Sequence, residues 1–358
     1  MLEARAVVQK MSAYHPPLAG RQGLRLDFNE NTVGCSPRVL ARMRTLDAEA
    51  LARYPDRDPV EREVARFFGI DAAKLLLTNG VDEAIHLLCS TYLDADDEAI
   101  IVVPTFAMYS IFAQGAGARV VEVRSGTNFS FPAQGVLARI TPRTRLIAIA
   151  NPNNPTGAVV SGELLLQIAE AVPQAALLVD EAYVEFYGET LLSRSQRPPN
   201  VFVARTFSKA YGLAGMRIGV LVGDAGQMAM VRRVASPYNV NAVALAVLPE
   251  ALHDTAYVEH YAAEVRSNRG VLEQELGALG LRYWPSRGNF VLVRIGPLHK
   301  EFVRSMRERG ILVRDRNSDP GCEGAVRLTV GPDEHTRILV AALRGVAEEL
   351  ALCREVWA

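Results

Sequence analysis

The chain has 358 residues, 49% of them hydrophobic and 22% charged, a globular composition that excludes intrinsic disorder. A formal net charge of −1 offers no basic field for sequence-independent binding to nucleic acid. No stretch supplies the ~20 apolar residues of a membrane helix, and the start, which carries Glu3, Arg5 and Lys10, does not read as a secretory signal.

The length predicts two domains, or one large domain with an elaboration. Cys35, Cys89, Cys322 and Cys353 form no CxxC pair and are expected to be reduced, as in a cytoplasmic protein. Of the 39 basic residues 35 are Arg, so any lysine chemistry must use Lys10, Lys74, Lys209 or Lys300.

Residues 1–39 show no helix–strand cadence of their own. From residue 74 short β-rich runs alternate with helical ones. A buried strand is predicted at 75–78, then a helix at 82–92 with Ile85, Leu88 and Cys89 on one face. A strand at 99–103 stops at Pro104; a helix follows at 106–114 and a strand at 118–123. The runs at 146–150 and 176–179 are apolar throughout, as strands covered on both faces are. Strands at 201–206 and 217–222 complete a set of seven. The pattern predicts α/β: a large domain, residues 40–245, with a mostly parallel seven-stranded sheet covered by helices. After Asn239 the texture changes. Residues 242–279 read as helix, followed by strands at 281–284, 289–294, 311–313 and 325–330 and helices at 298–309 and 332–352. This predicts a smaller α+β domain from residues 246–358, with residues 1–39 packed beside it.

The familiar nucleotide motifs are absent, and the six histidines, His15, His86, His253, His260, His299 and His335, are scattered, so no metal site is expected. Four polar signals instead sit at strand ends, where open α/β sheets place ligands. In Thr78-Asn79-Gly80-Val81-Asp82-Glu83 a glycine lets the chain turn into a helix whose free N–H groups suit a phosphate; a plain turn capped by Asp82 is the alternative. Asn151-Pro152-Asn153-Asn154-Pro155-Thr156-Gly157 is a rigid loop that could present the Asn154 amide to a hydroxyl or phenolate. The apolar strand before Asp180 ends in a carboxylate that should meet a cation, unless it caps a helix, and Tyr183 can face the same space. Lys209 lies just past a buried strand in Arg205-Thr206-Phe207-Ser208-Lys209, with Thr206, Ser208 and Arg217 around it as phosphate ligands. An anion cradle, a carboxylate for a cationic ring nitrogen, an amide for a phenolate and an amine that can condense with an aldehyde together describe pyridoxal 5'-phosphate.

The spacing of Asn154, Asp180, Tyr183, Lys209 and Arg217 resembles the fold-type I pyridoxal-phosphate aminotransferases. The wording NPNNPTG, DEAYVEF and RTFSKAYGLAGMRIG is similar to the histidinol-phosphate aminotransferase group of that family. The resemblance runs from Tyr14 to about Gly331. It implies that Lys209 carries the cofactor and shuttles the proton, and that Asp180 keeps the ring nitrogen protonated. Asn154 and Tyr183 would hydrogen-bond the ring's 3-oxygen. Gly80, Val81 and Asp82 would offer the helix N-terminus to the phosphate, with Thr206, Ser208 and Arg217 closing round it. Phe106 would stack on the ring in place of the tyrosine frequent in relatives. Tyr54, in Arg53-Tyr54-Pro55-Asp56, matches a residue that crosses to the neighbouring subunit's cofactor, which implies a homodimer with shared sites.

For substrate, Arg327 matches an arginine that takes a carboxylate as a two-pronged fork, and Arg314 a second substrate arginine. Tyr14, in Ala13-Tyr14-His15-Pro16, and Asn31, in Asn29-Glu30-Asn31, match an N-terminal substrate flap; relatives often continue the second run with Pro, whereas here Thr32-Val33-Gly34 follows. The implied reaction converts histidinol phosphate and 2-oxoglutarate to imidazole acetol phosphate and glutamate, in histidine biosynthesis. The substrates are thus a phosphorylated amino alcohol or amino acid and a 2-oxo acid. An aromatic amino-acid aminotransferase or a phosphorylated amino-acid decarboxylase remains open on the same fold. A transcription regulator built on this domain would need a DNA-binding segment, for which the short, non-basic N-terminus gives no sign.

Overall fold

Apolar runs that need cover on both faces end up at the centre of the molecule. In the computed structural model, which describes residues 2–15, 20, 22–194 and 196–352, the strands are β1 (Leu24–Arg25), β2 (Leu75–Thr78), β3 (Glu98–Val103), β4 (Arg119–Arg124), β5 (Thr144–Ala150), β6 (Ala176–Asp180), β7 (Val201–Thr206), β8 (Gly219–Val222), β9 (Arg282–Trp284), β10 (Phe290–Arg294), β11 (Ile311–Leu312), β12 (Arg314–Asp315) and β13 (Ala325–Thr329). Pro16 and Cys353 lie outside the described residues.

The large sheet has the order β2-β8-β7-β6-β5-β3-β4. Pairing is parallel from β7 through β4, and β8 runs antiparallel to both neighbours. Parallel strands all deliver their C-terminal ends to one side, so the loops after Ala150, Asp180 and Thr206 open together. The smaller sheet is antiparallel, in the order β12-β13-β10-β9, and β1 pairs in parallel with β11, which ties Leu24–Arg25 to Ile311–Leu312. One apolar core joins the two: Leu75, Leu77 and Val220 of the large sheet cluster with Leu245, Phe290 and Val326.

Three details differ from the sequence reading. The strand expected from 217 begins at Gly219, because Arg217 adopts a left-handed φ of 52° that closes the preceding turn. The helix expected over 242–279 is two helices, Ala242–His253 and Thr255–Ala278, separated at Asp254. A domain boundary at 246 therefore falls inside a helix, one that packs on Pro37–Arg44 and Asp58–Phe68. Those last two helices were not anticipated. Ser36 caps the first by accepting the Arg38 N–H at 3.1 Å, and buried Glu61 anchors the second by accepting the Leu77 N–H at 2.9 Å. Cys35, Cys89 and Cys322 are free thiols. Among the described residues no helix is long and apolar enough to cross a membrane.

Candidate active site

A cavity of about 530 Å³ lies where the C-terminal ends of β5, β6 and β7 face the small sheet. Val81, Asp82, Phe106, Asn154, Asp180, Tyr183, Thr206, Ser208, Lys209 and Arg217 line it from the large domain; Tyr14, Arg314 and Arg327 close it from the other side.

One end is built for an anion. The helix Gly80–Tyr92 starts here, and its first N–H groups have no intrahelical acceptor. Gly80 has φ +74°, and a Cβ there would stand 2.7 Å from Arg217 Nη2. Glycine is thus required twice, for the backbone and for the arginine. Arg217 Nη2 donates to Asp82 Oδ2 at 3.1 Å, so Asp82 aims the guanidinium across the helix terminus. Thr206 Oγ1 accepts the Ser208 N–H at 3.1 Å, holding the start of the lysine loop beside it.

The middle of the cavity suits a flat, cationic ring. Asp180 is buried at the end of β6, where its Oδ1 accepts the Ala182 N–H at 3.0 Å and its Oδ2 accepts the Tyr109 hydroxyl at 2.6 Å. Burial outweighs those two hydrogen bonds and raises its pKa to about 6. Asn154 Oδ1 is taken by Arg327, which leaves its NH₂ as the free end of the amide. Tyr183 Oη accepts from Asn29 Nδ2 at 3.1 Å, so its own proton is available to an oxygen in the cavity. Lys209 Nζ donates to the Phe28 carbonyl at 3.0 Å and stands 5.8 Å from the Tyr183 ring centre. Phe106 meets Tyr109 edge to face, with ring centroids 5.9 Å apart.

The far end holds arginines. In the β12–β13 register Arg314 stands directly opposite Arg327, a like-charge pair that destabilises a sheet unless an anion lies between. Arg327 Nη2 donates to the Asp27 carbonyl at 2.6 Å, and Nε is buried with no acceptor. Burial, followed by the charges of Arg316 and Arg314, lowers its pKa to about 9. Arg314 Nη2 donates to Tyr14 Oη at 3.4 Å and lies over the Phe28 ring.

Two expected residues stand apart. The Asn31 amide donates to the Ala210 carbonyl at 3.0 Å and accepts the Val33 and Gly34 N–H groups, so it fastens the N-terminal segment to the lysine loop. Gly212 permits that contact: at φ +70°, a Cβ would be 2.2 Å from the Gly34 carbonyl oxygen. Tyr54 does not line its own chain's cavity; it is 79% exposed and stacked on Tyr238. Sequence reasoning missed Tyr109, Arg316 and Asp319; Asn29 lay in the run matched to the flap, and here its amide donates to Tyr183. Three-residue spacing from Phe106 puts Tyr109 on the same face of the helix predicted at 106–114, a signal that reads equally as core packing.

The donor set fits pyridoxal phosphate. It combines an anion cradle, a buried carboxylate with no cation partner among the described residues, amide and phenol donors on the cavity wall and a held amine. On this sheet it defines a pyridoxal-phosphate enzyme of fold type I. Residues 21–343 match the family described as aminotransferase class I and II. The chain is 37% identical to a histidinol-phosphate aminotransferase of Dinoroseobacter shibae over 92% of each chain. It is 36% identical to histidinol-phosphate aminotransferase 2 of Pseudomonas aeruginosa, over 97% of this chain and 98% of that one. The solved histidinol-phosphate aminotransferase of Sinorhizobium meliloti, in complex with pyridoxal-5'-phosphate, superposes with a TM-score of 0.88 at 26% identity, covering 98% and 99% of the two chains. A Thermus thermophilus aspartate aminotransferase superposes with a TM-score of 0.81 at 25% identity, covering 97% of this chain and all of that one. The chain belongs to the class I and II aminotransferases, and it is a transaminase.

Proposed function

We propose that this transaminase uses pyridoxal 5'-phosphate to exchange an amino group between histidinol phosphate and 2-oxoglutarate, a step of histidine biosynthesis in the cytoplasm. The observation that carries the substrate is the cross-strand pair Arg314–Arg327 at the end of the cavity opposite the phosphate cradle. A phosphate ester carries more charge than the carboxylate of an ordinary amino acid, and two guanidiniums in one register accommodate either anion. The names of the relatives point the same way.

When bound, the cofactor supplies an aldehyde that accepts an amino group and a ring that stores an electron pair. The residues divide the remaining work. Gly80, Val81 and Asp82 present the helix terminus to its phosphate, and Thr206, Ser208 and Arg217 surround that group. Phe106 covers the ring face. Asp180, kept dry and oriented by Tyr109, favours a protonated ring nitrogen. Asn154 and Tyr183 donate to the ring oxygen. Lys209 Nζ would hold the cofactor at rest and, once freed, would take the proton from the donor's α-carbon as general base and deliver it as general acid to the carbon of the cofactor's former aldehyde. Arg327 and Arg314 hold the substrate anion, with Tyr14 beside them. Tyr54 and Tyr238 form an exposed stacked pair, with ring centroids 4.3 Å apart. This supports a homodimer in which Tyr54 reaches the partner's cofactor phosphate.

The test is the half-reaction of the purified, cofactor-loaded enzyme, followed by the change in cofactor absorbance, with histidinol phosphate, histidinol, phenylalanine and glutamate. Histidinol phosphate should react fastest of the amines. Loss of the phosphate should cost about 10² to 10⁴ in efficiency, as for two charge-assisted contacts. Faster turnover of phenylalanine would overturn the substrate and leave the transaminase standing.

A further inference from the structure

A second cavity, of about 330 Å³, opens where the end of β4 meets the small sheet. Its wall carries Arg124 at the end of β4, Arg282 and Trp284 on β9, Arg294 at the end of β10, and Phe129 and Glu323 from loops. Glu323 is the one carboxylate among the described residues of this wall, and it turns back to accept the Gly321 N–H at 3.2 Å. The Arg124 and Arg282 guanidiniums facing a shared space repel one another, which an anion between them would relieve. Arg282 is held in place: it donates to Asn128 Oδ1 at 2.9 Å and lies over the Trp284 ring at 5.3 Å. Arg124, the last residue of β4, is exposed to the same space.

Part of the wall is aromatic. Phe129 and Trp284 pack with ring centroids 4.9 Å apart, and the Trp284 indole N–H is buried with no acceptor. Asn128 and Phe129 sit at φ 57° and 59°, a conformation that a bulky residue such as Phe rarely adopts. Such strain gathers at ligand clamps.

We propose that this cavity is a second ligand site, for a small molecule that carries a phosphate or carboxylate beside a flat ring. The arginines take the anion and the Phe129–Trp284 face takes the ring. The site is separate from the transaminase centre but shares a loop with it. Arg316, Ser318 and Asp319 line the active-site cavity, and Pro320, Gly321 and Glu323 directly after them line this one. A ligand here grips that loop from its outer side.

Trp284 is a reporter for the site. The chain has two tryptophans, so Trp357→Phe leaves Trp284 as the only one. In that background the holoenzyme, titrated with phenyl phosphate, should show a saturable change in tryptophan emission. Arg124→Ser combined with Arg282→Ser should raise the half-saturating concentration at least about tenfold. Arg124→Ser alone, which keeps the Arg282–Trp284 contact, should raise it in the same direction. Absence of a saturable change would overturn the proposal. So would a change that survives both arginine substitutions and disappears in Arg327→Ala, because the signal would then come from the active site.

Discussion

Replacing Asp180 by Asn should stabilise the cofactor-free protein at neutral pH while weakening the cofactor's hold. Burial raises the Asp180 pKa from 3.8 to about 6 in the folded chain. Between those values the folded protein binds a proton that the unfolded chain has already released, so stability falls as pH rises through that window. A shift of about two units corresponds to about 3 kcal/mol lost by neutral pH. Asn carries no charge to bury and avoids that loss. It has one acceptor where Asp180 uses two, for Ala182 and Tyr109, which costs about 1 kcal/mol. The cofactor-free variant should therefore exceed the wild type by about 2 kcal/mol at pH 7 and fall about 1 kcal/mol below it under about pH 4, where the wild-type carboxyl is protonated in both states and only the hydrogen-bond cost remains. With the cofactor bound, a cation beside Asp180 favours the ionised carboxylate, and the wild type should lose its pH slope. Urea unfolding midpoints across this range, with and without cofactor, read both effects. Parallel pH slopes for the cofactor-free wild type and Asp180→Asn would refute the reasoning.

The large sheet was legible because its central strands are buried on both faces. A continuous apolar run such as 146–150 has one stable home, and the observed Thr144–Ala150 only lengthens it. The residues at the strand ends were legible for the same reason, since a polar side chain placed there has no other environment to serve. Chain ends and tight turns were harder. The break at Asp254 has only a small local mark, His253 in a last turn followed by Asp254 at the next helix's N-cap position, inside an otherwise uniform helical texture from 242 to 279. Helices such as Ala48–Ala52 are too short to show a periodic face. Asn31 was placed in the substrate flap by resemblance, whereas its side chain is spent on Ala210, Val33 and Gly34, a choice set by how closely Gly212 lets two loops approach. Tyr109 escaped because an aromatic residue on a helix facing the sheet reads as core, and it is core. Only the strand register, which sets Asp180 at the end of β6, gives its hydroxyl a partner.

Gly80→Ala forces a Cβ against Arg217 and holds alanine at φ +74°; equilibrium dialysis should show cofactor affinity lower by about 5- to 30-fold, from ~1–2 kcal/mol of strain. Arg314→Ala should lower kcat/KM for histidinol phosphate by about 10 to 10²-fold, and at least as much as for glutamate, because the larger charge sits on the phosphate. A smaller loss for histidinol phosphate than for glutamate would place its phosphate elsewhere. Tyr109→Phe removes a hydrogen bond that lowers the Asp180 pKa, so the window over which the cofactor-free protein loses stability should move to higher pH. Finally, a Tyr54-defective chain mixed with a Lys209-defective chain should recover about a quarter of wild-type activity, since half of randomly paired dimers are mixed and each holds one intact composite site. Native mass spectrometry must first show that subunits have exchanged. No recovery in exchanged mixtures would mean that Tyr54, exposed and stacked on Tyr238 in its own chain, serves no neighbouring site.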